Sequence, residues 1–449
     1  MEHLKKKYGI FTAICMVVGI VIGSGIFFKA PYVLANAGNA LNSILAWLIA
    51  GLIMVVIATS FGVLATKYEK VNGIVDYAEA TMGKTYAYFV GWVLAMIYYP
   101  AMTSVLAWVS ARYTLVAVLG HDEKIFSAEC IALSLFYLIL AFFINTLAPR
   151  FAGKFQVSAT VIKLIPIAFI AVVGTVIGFI NGTLTENFVI EYESAATNSG
   201  LFPALCSTIF AYEGWIVATA INSEIRDSKK NLPIALCLGT LIIAAAYTLY
   251  NVGILGLAEI NSLSEGTYVA FRFFGGAASS IINILVVISC LGTLNGLMLG
   301  CCRGIYSLSV RGEGIMPETF SEVDRKTDMP QNSAIFALFT CSFWFVYFIF
   351  FCLGIFGDYG FDSSELPIIT IYPLYIPILI SLMVKEKDVH PFKRFVLPAL
   401  SIVGVGIIVY ASIKSHGIKN LWYLIVFAVI MFIGWLVLLN NRRRERETK

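Results

Sequence analysis

Apolar residues in this chain neither alternate nor recur every third or fourth position; they form long runs. From Tyr8 to Leu34 a single charge, Lys29, interrupts the run. Comparable runs follow at 41–65, 85–118, 126–147, 155–180, 202–222, 232–257, 277–308, 333–356, 367–384, 395–413 and 421–439. A helix rises about 1.5 Å per residue, so roughly 20 apolar residues cross about 30 Å of hydrocarbon. The runs are long and lack the strict alternation of a membrane barrel strand, which predicts helices. The pattern therefore predicts an all-α membrane protein of twelve spans.

Charge placement orients the spans. Lys5, Lys6, Lys7, Lys67, Lys84, Arg150, Arg226, Arg311, Lys385 and the Arg442–Arg444 run fall at one set of ends. The other set is acidic, with Glu186, Glu259, Asp362 and Glu365. Basic loops stay inside, which puts both termini in the cytoplasm and agrees with an even number of spans.

Composition removes whole classes of function. The chain is 59% hydrophobic and 13% charged, with a mean hydropathy of +0.85, so a lipid bilayer is its expected surroundings. Its basic residues lie in short loops and make no patch for nucleic acid. The first run is read as a retained span, not a cleaved leader. Cys15, Cys206, Cys237 and Cys341 sit inside apolar runs, where they act as small apolar residues, and no disulfide framework is implied. His3, His121, His390 and His416 fall in termini or loops, so neither an intramembrane metal site nor a catalytic dyad is expected. No loop is long enough for a catalytic domain, and no selectivity-filter sequence appears. An enzyme and a channel are both disfavoured, and no metal or cofactor is expected. Asn181-Gly-Thr is a glycosylation sequon on an outer loop.

Two spans carry faults. The first holds "VIGSGIFF", Val21–Phe28, and the sixth holds "IFAYEGWIV", Ile209–Val217. Each glycine lowers helix propensity by about 1 kcal/mol relative to alanine. One explanation is close packing, with Gly19, Gly23 and Gly25 admitting a neighbouring helix. The sixth span, however, also places Glu213-Gly214 at mid-membrane, where a carboxylate marks a functional site. Paired interruptions in corresponding positions point to a secondary transporter built from inverted repeats. The halves would be 8–180 and 202–384, followed by a further pair of spans at 395–439.

The chemistry of such breaks suits a zwitterion. Unwinding at Gly23-Ser24-Gly25 bares helix N–H groups that attract a carboxylate. Unwinding at Phe210–Gly214 bares carbonyls suited to an ammonium group. The candidate binding residues are Val21, Ile22, Gly23, Ser24, Gly25, Phe210, Ala211, Tyr212, Glu213 and Gly214. Tyr98, Tyr99, Tyr212 and Trp215 are candidates for the pocket or its gates, against plain packing. Lys29, Arg112 and Arg303 lie near span ends and are expected to snorkel to the interface. Lys163 lies about 12 Å into its span at 1.5 Å per residue, and Gln156, Thr160 and Lys163 follow i, i+4, i+7 spacing. That stripe faces the bundle, with snorkelling as the alternative. Burial penalises a charged amine, so Lys163 is also a candidate proton carrier. Ser289 and Thr293 are candidates to contact it. Glu213 has three readings: it shapes the break, it is a counter-charge, or it carries a proton.

These stretches resemble the amino acid–polyamine–organocation superfamily, and within it the L-type amino acid transporters and the bacterial serine/threonine exchanger. "IGSGIF" (Ile22–Phe27) is similar to the family's first-helix motif and "FAYEGW" (Phe210–Trp215) to its sixth. "GKFQVSATVIKLIPIAFI" (Gly153–Ile170), "SCLGTLNG" (Ser289–Gly296), "RGEGIMP" (Arg311–Pro317) and "VNGIVDYAEATMG" (Val71–Gly83) look like further family segments, in order along the chain. The resemblance implies a leucine-transporter-type fold and sodium-independent amino acid exchange by alternating access. It implies substrate carboxylate on the N–H groups of Ser24 and Gly25, and the amino group on the carbonyls of Val21, Phe210 and Glu213. It implies that Phe210 closes over substrate and that Lys163 bridges the first and fifth spans where sodium-coupled relatives hold the cation. Glu213 departs from the mammalian members, which carry Gly there; the bacterial exchanger carries an acid. Cys130 does not align with the cysteine by which animal members bridge to a single-span partner, so none is expected. Small residues at Gly23, Ala211 and Gly214, facing bulky Tyr98, Tyr99 and Phe210, suggest a small or medium neutral amino acid. A proton-coupled symporter is the alternative, and a transport-inactive amino acid sensor a more distant one.

Overall fold

The computed structural model describes residues 9–68, 73–119, 126–193, 196, 198–217, 219, 225–417 and 419–447. Lys5, Lys6, Lys7, Lys70, Lys124, Asn222, His3 and His121 lie outside these residues. The described residues are almost all helical, with one isolated β-bridge, Asp324 to Met329. The first apolar run is two helices, α1 (Ile10–Val21) and α2 (Gly25–Ala37), bent by 49°. Then come α3 (Ala40–Lys67), the short α4 (Ile74–Met82), α5 (Lys84–Leu119), α6 (Ala128–Leu147), α7 (Phe151–Asn181) and α8 (Leu201–Tyr212). The chain continues through α9 (Ser228–Leu257), α10 (Gly276–Ser309), α11 (Gln331–Cys352), α12 (Leu366–Lys385), α13 (Phe392–His416) and α14 (Lys419–Glu447).

Nine of these helices are long and apolar enough to cross a membrane, and the bent α1–α2 pair makes a tenth. Two shorter apolar segments, Leu201–Val217 and Ile369–Lys385, stand where the remaining two expected spans lie. The sixth run departs from expectation. It was expected as a span over 202–222, but regular helix ends at Tyr212, and only a tight 3₁₀ turn carries the chain to Val217.

The outer faces of the helices identify the solvent. On α11, Phe339, Phe343, Val346 and Phe350 are exposed, while Cys341, Phe345 and Phe348 on the other side are buried. A stripe of exposed phenylalanines is what lipid, not water, tolerates; the chain is an integral membrane protein. Helix ends use ordinary caps: Asn39 Oδ1 accepts from Asn42 N at 2.8 Å to start α3, and Ser127 Oγ from Cys130 N at 3.2 Å to start α6. Inside, contacts follow membrane rules. Gly174 and Gly178 of α7 cross Gly253 and Gly256 of α9 so closely that a Cβ on Gly174 would sit 2.3 Å from the Gly253 oxygen. Polar side chains join other crossings, Asn145 to Asn295 at 3.0 Å between α6 and α10 and Ser60 to Ser401 at 2.8 Å between α3 and α13.

The two ends of the bundle are closed by different charges. At one end Arg311, after α10, reaches α4, with Nη1 donating to Glu79 Oε2 at 3.0 Å and Nη2 to Asp76. At the other end Lys29 of α2 pairs with Asp362 at 3.1 Å and Glu365 at 3.6 Å. Lys29 was expected to snorkel and does not: it is 3% exposed, because its acids come to it. Arg112 is likewise buried, its guanidinium 5.6 Å from the Trp108 ring centroid. Arg303 is exposed, as expected of a residue that snorkels.

Candidate functional site

The two faults meet. At the first, α1 ends on Val21, Ile22 turns out of the helix at φ −66° and ψ 107°, and α2 begins at Gly25. At the second, α8 ends on Tyr212, Glu213 is extended at φ −69° and ψ 154°, and Gly214 takes φ 113°. That positive φ requires glycine. The approach requires it as well: a Cβ on Gly25 would lie 2.6 Å from Ala211 Cα, and one on Gly214 3.2 Å from the Ile20 oxygen. The expectation that these glycines serve packing and the expectation that they serve a break are therefore both met at one place.

A small buried cavity opens between them. Ile20, Val21, Gly23, Ser24 and Gly25 line it from the first break, and Phe210, Ala211, Glu213 and Gly214 from the second. Tyr98, Met102 and Leu106 of α5 and Thr293 and Leu297 of α10 complete the wall. The first N–H groups of α2 lack intrahelical acceptors by helix geometry. Those of Phe27 and Phe28 turn back to the Ser24 carbonyl at 3.0 and 2.8 Å, leaving Gly25 and Ile26 as the donors of the first turn that meet no backbone acceptor among the described residues. Ser24 Oγ is buried at the cavity and makes no hydrogen bond of ordinary geometry among the described residues.

Several expected residues serve other purposes. The Ile22 carbonyl is not in the cavity wall: it accepts from Lys163 Nζ at 2.6 Å. Tyr212 points away, donating to the Trp47 carbonyl at 2.7 Å. Tyr99 is not in the wall either; its ring lies against Gly300 of α10. Neighbouring residues project about 100° apart on a helix, so Tyr98 and Tyr99 cannot share one face. Two carbonyls expected to take an amino group already have partners. Val21 O accepts from Tyr247 Oη at 3.2 Å, and Phe210 O from Glu213 N at a long 3.3 Å.

Lys163 is fully buried, as the stripe implied. Its ammonium donates to the carbonyls of Gly19 and Ile22, with Thr293 Oγ1 at 3.5 Å. Thr160, of the same stripe, lies against Gly19; the Gln156 side chain is outside what the structure describes. Ser289 does not join Lys163, since its buried Oγ makes no hydrogen bond among the described residues; Thr293, one turn on, does. The ammonium thus stands where the last turn of α1 lost its continuing helix.

Glu213 is held from two sides. Tyr98 Oη donates to Oε2 at 2.7 Å and Tyr372 Oη to Oε1. Both donors are hydroxyls, which suits an ionised carboxylate. Tyr372 of α12 was not foreseen; in "IYPLYIP" it reads as one more apolar aromatic. Met102 and Leu106 follow Tyr98 at i+4 and i+8, a spacing that places all three on one face. On the Lys29 side of the cavity the rings of Phe28, Phe210 and Trp108 meet edge to face, with centroids 6.2 Å apart for Phe28–Phe210 and 5.5 Å for Phe28–Trp108.

Comparison with known proteins gives the family of the chain. The family model for amino acid permeases matches residues 8–438. The chain is 29% identical over 325 residues to the serine/threonine exchanger SteT of Bacillus subtilis, covering 71% of this chain and 72% of that one. It is 27% identical to the human cystine/glutamate transporter, over 74% of this chain and 66% of the relative. It is also 27% identical to the human b(0,+)-type amino acid transporter 1, over 73% and 67%. The chain is a membrane transporter, not an enzyme, and it belongs to the amino acid permease family of the amino acid–polyamine–organocation superfamily.

Proposed function

We propose that the protein is a sodium-independent exchanger of small or medium neutral L-amino acids, working by alternating access in the cell membrane with both termini cytoplasmic. The substrate carboxylate sits on the free N–H groups at the start of α2. Its amino group faces the carbonyls of Val21, Phe210 and Glu213, and its side chain points toward Met102, Leu106 and Leu297. The two breaks belong to inverted repeats over 8–180 and 202–384, and Phe210 closes the outer side. Facing breaks and the Phe28–Phe210–Trp108 ring cluster support that reading.

The observation that carries it is Lys163. A bound cation would need oxygens like those of Gly19 O, Ile22 O and Thr293 Oγ1, and a tethered ammonium already takes them. A permanent charge on the scaffold removes the need for an ion that comes and goes. Proton symport is the second reading, favoured by the neutral oxygens of Gly19, Ile22 and Thr293 that receive the Lys163 ammonium. An amine so placed loses less by giving up its proton than one facing a carboxylate. Cys130 is fully buried beneath the Ser127 cap, which supports the expectation of no disulfide-linked partner at that residue.

The test is labelled serine, threonine and alanine uptake into proteoliposomes, loaded or empty, with sodium and pH gradients varied independently. Uptake only into loaded vesicles, indifferent to sodium, is the expected result. Uptake into empty vesicles that follows an inward proton gradient would make it a symporter. Uptake of arginine with none of the neutral amino acids would make Glu213 a substrate counter-ion and overturn the specificity.

A further inference from the structure

Away from the cavity, beside the Lys29 ion pairs, three side chains of different chemistry converge from three helices. Cys206 lies on α8, Glu365 caps α12, and His416 is the last residue of α13. One ligand atom from each lies within 4.8 Å of the other two. Cys206 and Glu365 are 5% and 7% exposed. The His416 side chain keeps 19% exposure, an access path to solvent.

The hydrogen bonding is incomplete in a particular way. His416 Nδ1 lies 3.2 Å from the Ser412 carbonyl, to which only an N–H can donate. That bond leaves the lone pair of a neutral imidazole on Nε2. Nε2 faces Glu365 Oε2 at 2.6 Å, yet Oε2 is buried and makes no hydrogen bond of ordinary geometry among the described residues. At that distance the pair is held by a second proton on the imidazole, and a cation bound to both atoms would take the place of that proton. The other carboxylate oxygen, Oε1, already leans on Lys29 at 3.6 Å, and Lys29 is closer to Asp362. Two carboxylates thus share one lysine, and Lys29 balances only one of their two charges.

We propose that Cys206, Glu365 and His416 form a binding site for a thiophilic divalent cation of the zinc class. A thiolate, an imidazole and a carboxylate together suit zinc and exclude magnesium and calcium, which demand oxygen. Zinc bound at about 2.0 Å to nitrogen and oxygen and about 2.3 Å to sulfur sets ligand separations of roughly 3.3–3.6 Å. The longest edge would contract by up to about 1.3 Å and the His416–Glu365 edge would open by about 0.7 Å; water takes the fourth position. The Nδ1–Ser412 bond is the outer contact that orients a metal-bound histidine. Sequence reading put His416 in a loop and found no metal site because its partners lie far away in the chain.

The metal would tie α8 to α12 and α13, and α8 leads directly into Phe210 and the second break. Zinc is therefore expected to arrest exchange; this consequence, unlike the binding, rests on the function proposed above. The experiment titrates the purified full chain in detergent with Co²⁺, then displaces it with Zn²⁺. A near-ultraviolet thiolate-to-cobalt band is expected, lost in Cys206→Ser, with Zn²⁺ affinity weakened tenfold or more in Cys206→Ser and in His416→Gln. Absence of the band, or its persistence in Cys206→Ser, overturns the site; Glu365 and His416 would then be an ordinary imidazolium–carboxylate pair. Wild-type protein that shows the band but exchanges no amino acid would refute the transport reading and leave the metal site standing.

Discussion

The two helix breaks share a fault and differ in the charge that answers it. At the first, the end of α1 leaves carbonyls without helical partners, and a cation from α7 caps Gly19 and Ile22. At the second, the chain supplies its own carboxyl group, Glu213, and two phenols from α5 and α12 hold it. One break is strapped through its backbone, by Lys163 of α7 and by Tyr247 of α9. The other is tethered through a side chain to two neighbours at once. A strap fixes the shape of a break, whereas a double tether ties its position to the helices around it. The first break is thus the structural fixture and the second the one whose movement α5 and α12 feel.

Removing the strap should have the largest effect. In Lys163→Ala the carbonyls of Gly19 and Ile22 lose their donor in a buried site, at about 1–3 kcal/mol for each unsatisfied group. Exchange into loaded proteoliposomes is expected to fall roughly 100-fold, since about 2.7 kcal/mol corresponds to that factor. Added sodium should restore part of it. Full activity without sodium would show that the first break needs no cation and would erase the distinction between the two.

Next comes the approach between the breaks. Gly25→Ala would put a Cβ 2.6 Å from the Ala211 backbone, so one helix must shift. Overpacking of this kind costs about 1–3 kcal/mol, and exchange should fall about tenfold or more, with a lower Tm in detergent. A smaller change is expected from the tether. Glu213→Gln keeps the shape but gives up the charge, and each of Tyr98→Phe and Tyr372→Phe removes one donor to a charged group. Hydrogen bonds to charged groups contribute about 1.5–3 kcal/mol, so exchange should drop about tenfold in Glu213→Gln. If the two phenols act as one tether, the double phenylalanine variant should cost no more than Glu213→Gln alone, measured as a double-mutant cycle.

The same contrast explains what could be read from sequence. Spans were legible because lipid makes nearly whole segments apolar, and both breaks because Gly23-Ser24-Gly25 and Glu213-Gly214 are conspicuous there. Lys163 was legible because Thr160 and Lys163 mark one face of their helix. Residues whose meaning depends on a distant partner were not legible. Lys29 looked like a snorkelling lysine, but Asp362 and Glu365 meet it from the other end of the chain. Arg311 and Asp76 sat in two separately recognisable motifs, and only the fold joins them. Tyr372 and Tyr99 carried no local signal at all, so one was missed as a tether and the other expected in a wall it does not line.

The smallest expected effect provides the control for any pH dependence assigned to either break. Glu313, in the segment between α10 and α11, has its carboxyl pushed up to about 7 by burial; Arg311 pulls the other way and Glu79 adds to the rise. A carboxyl whose folded value lies above its usual range near 4.5 favours the fold while protonated. That contribution is complete below about pH 4.5 and lost as pH rises through about 7. Wild-type protein should therefore lose a little Tm between pH 5 and 8, and Glu313→Gln should lose less. Glu213 differs from Glu313 in having two hydroxyl donors, so a transport inflection near pH 7 that survives Glu313→Gln belongs to the breaks. One that disappears belongs to the Arg311 end, and the cavity carboxylate then needs no proton in the cycle.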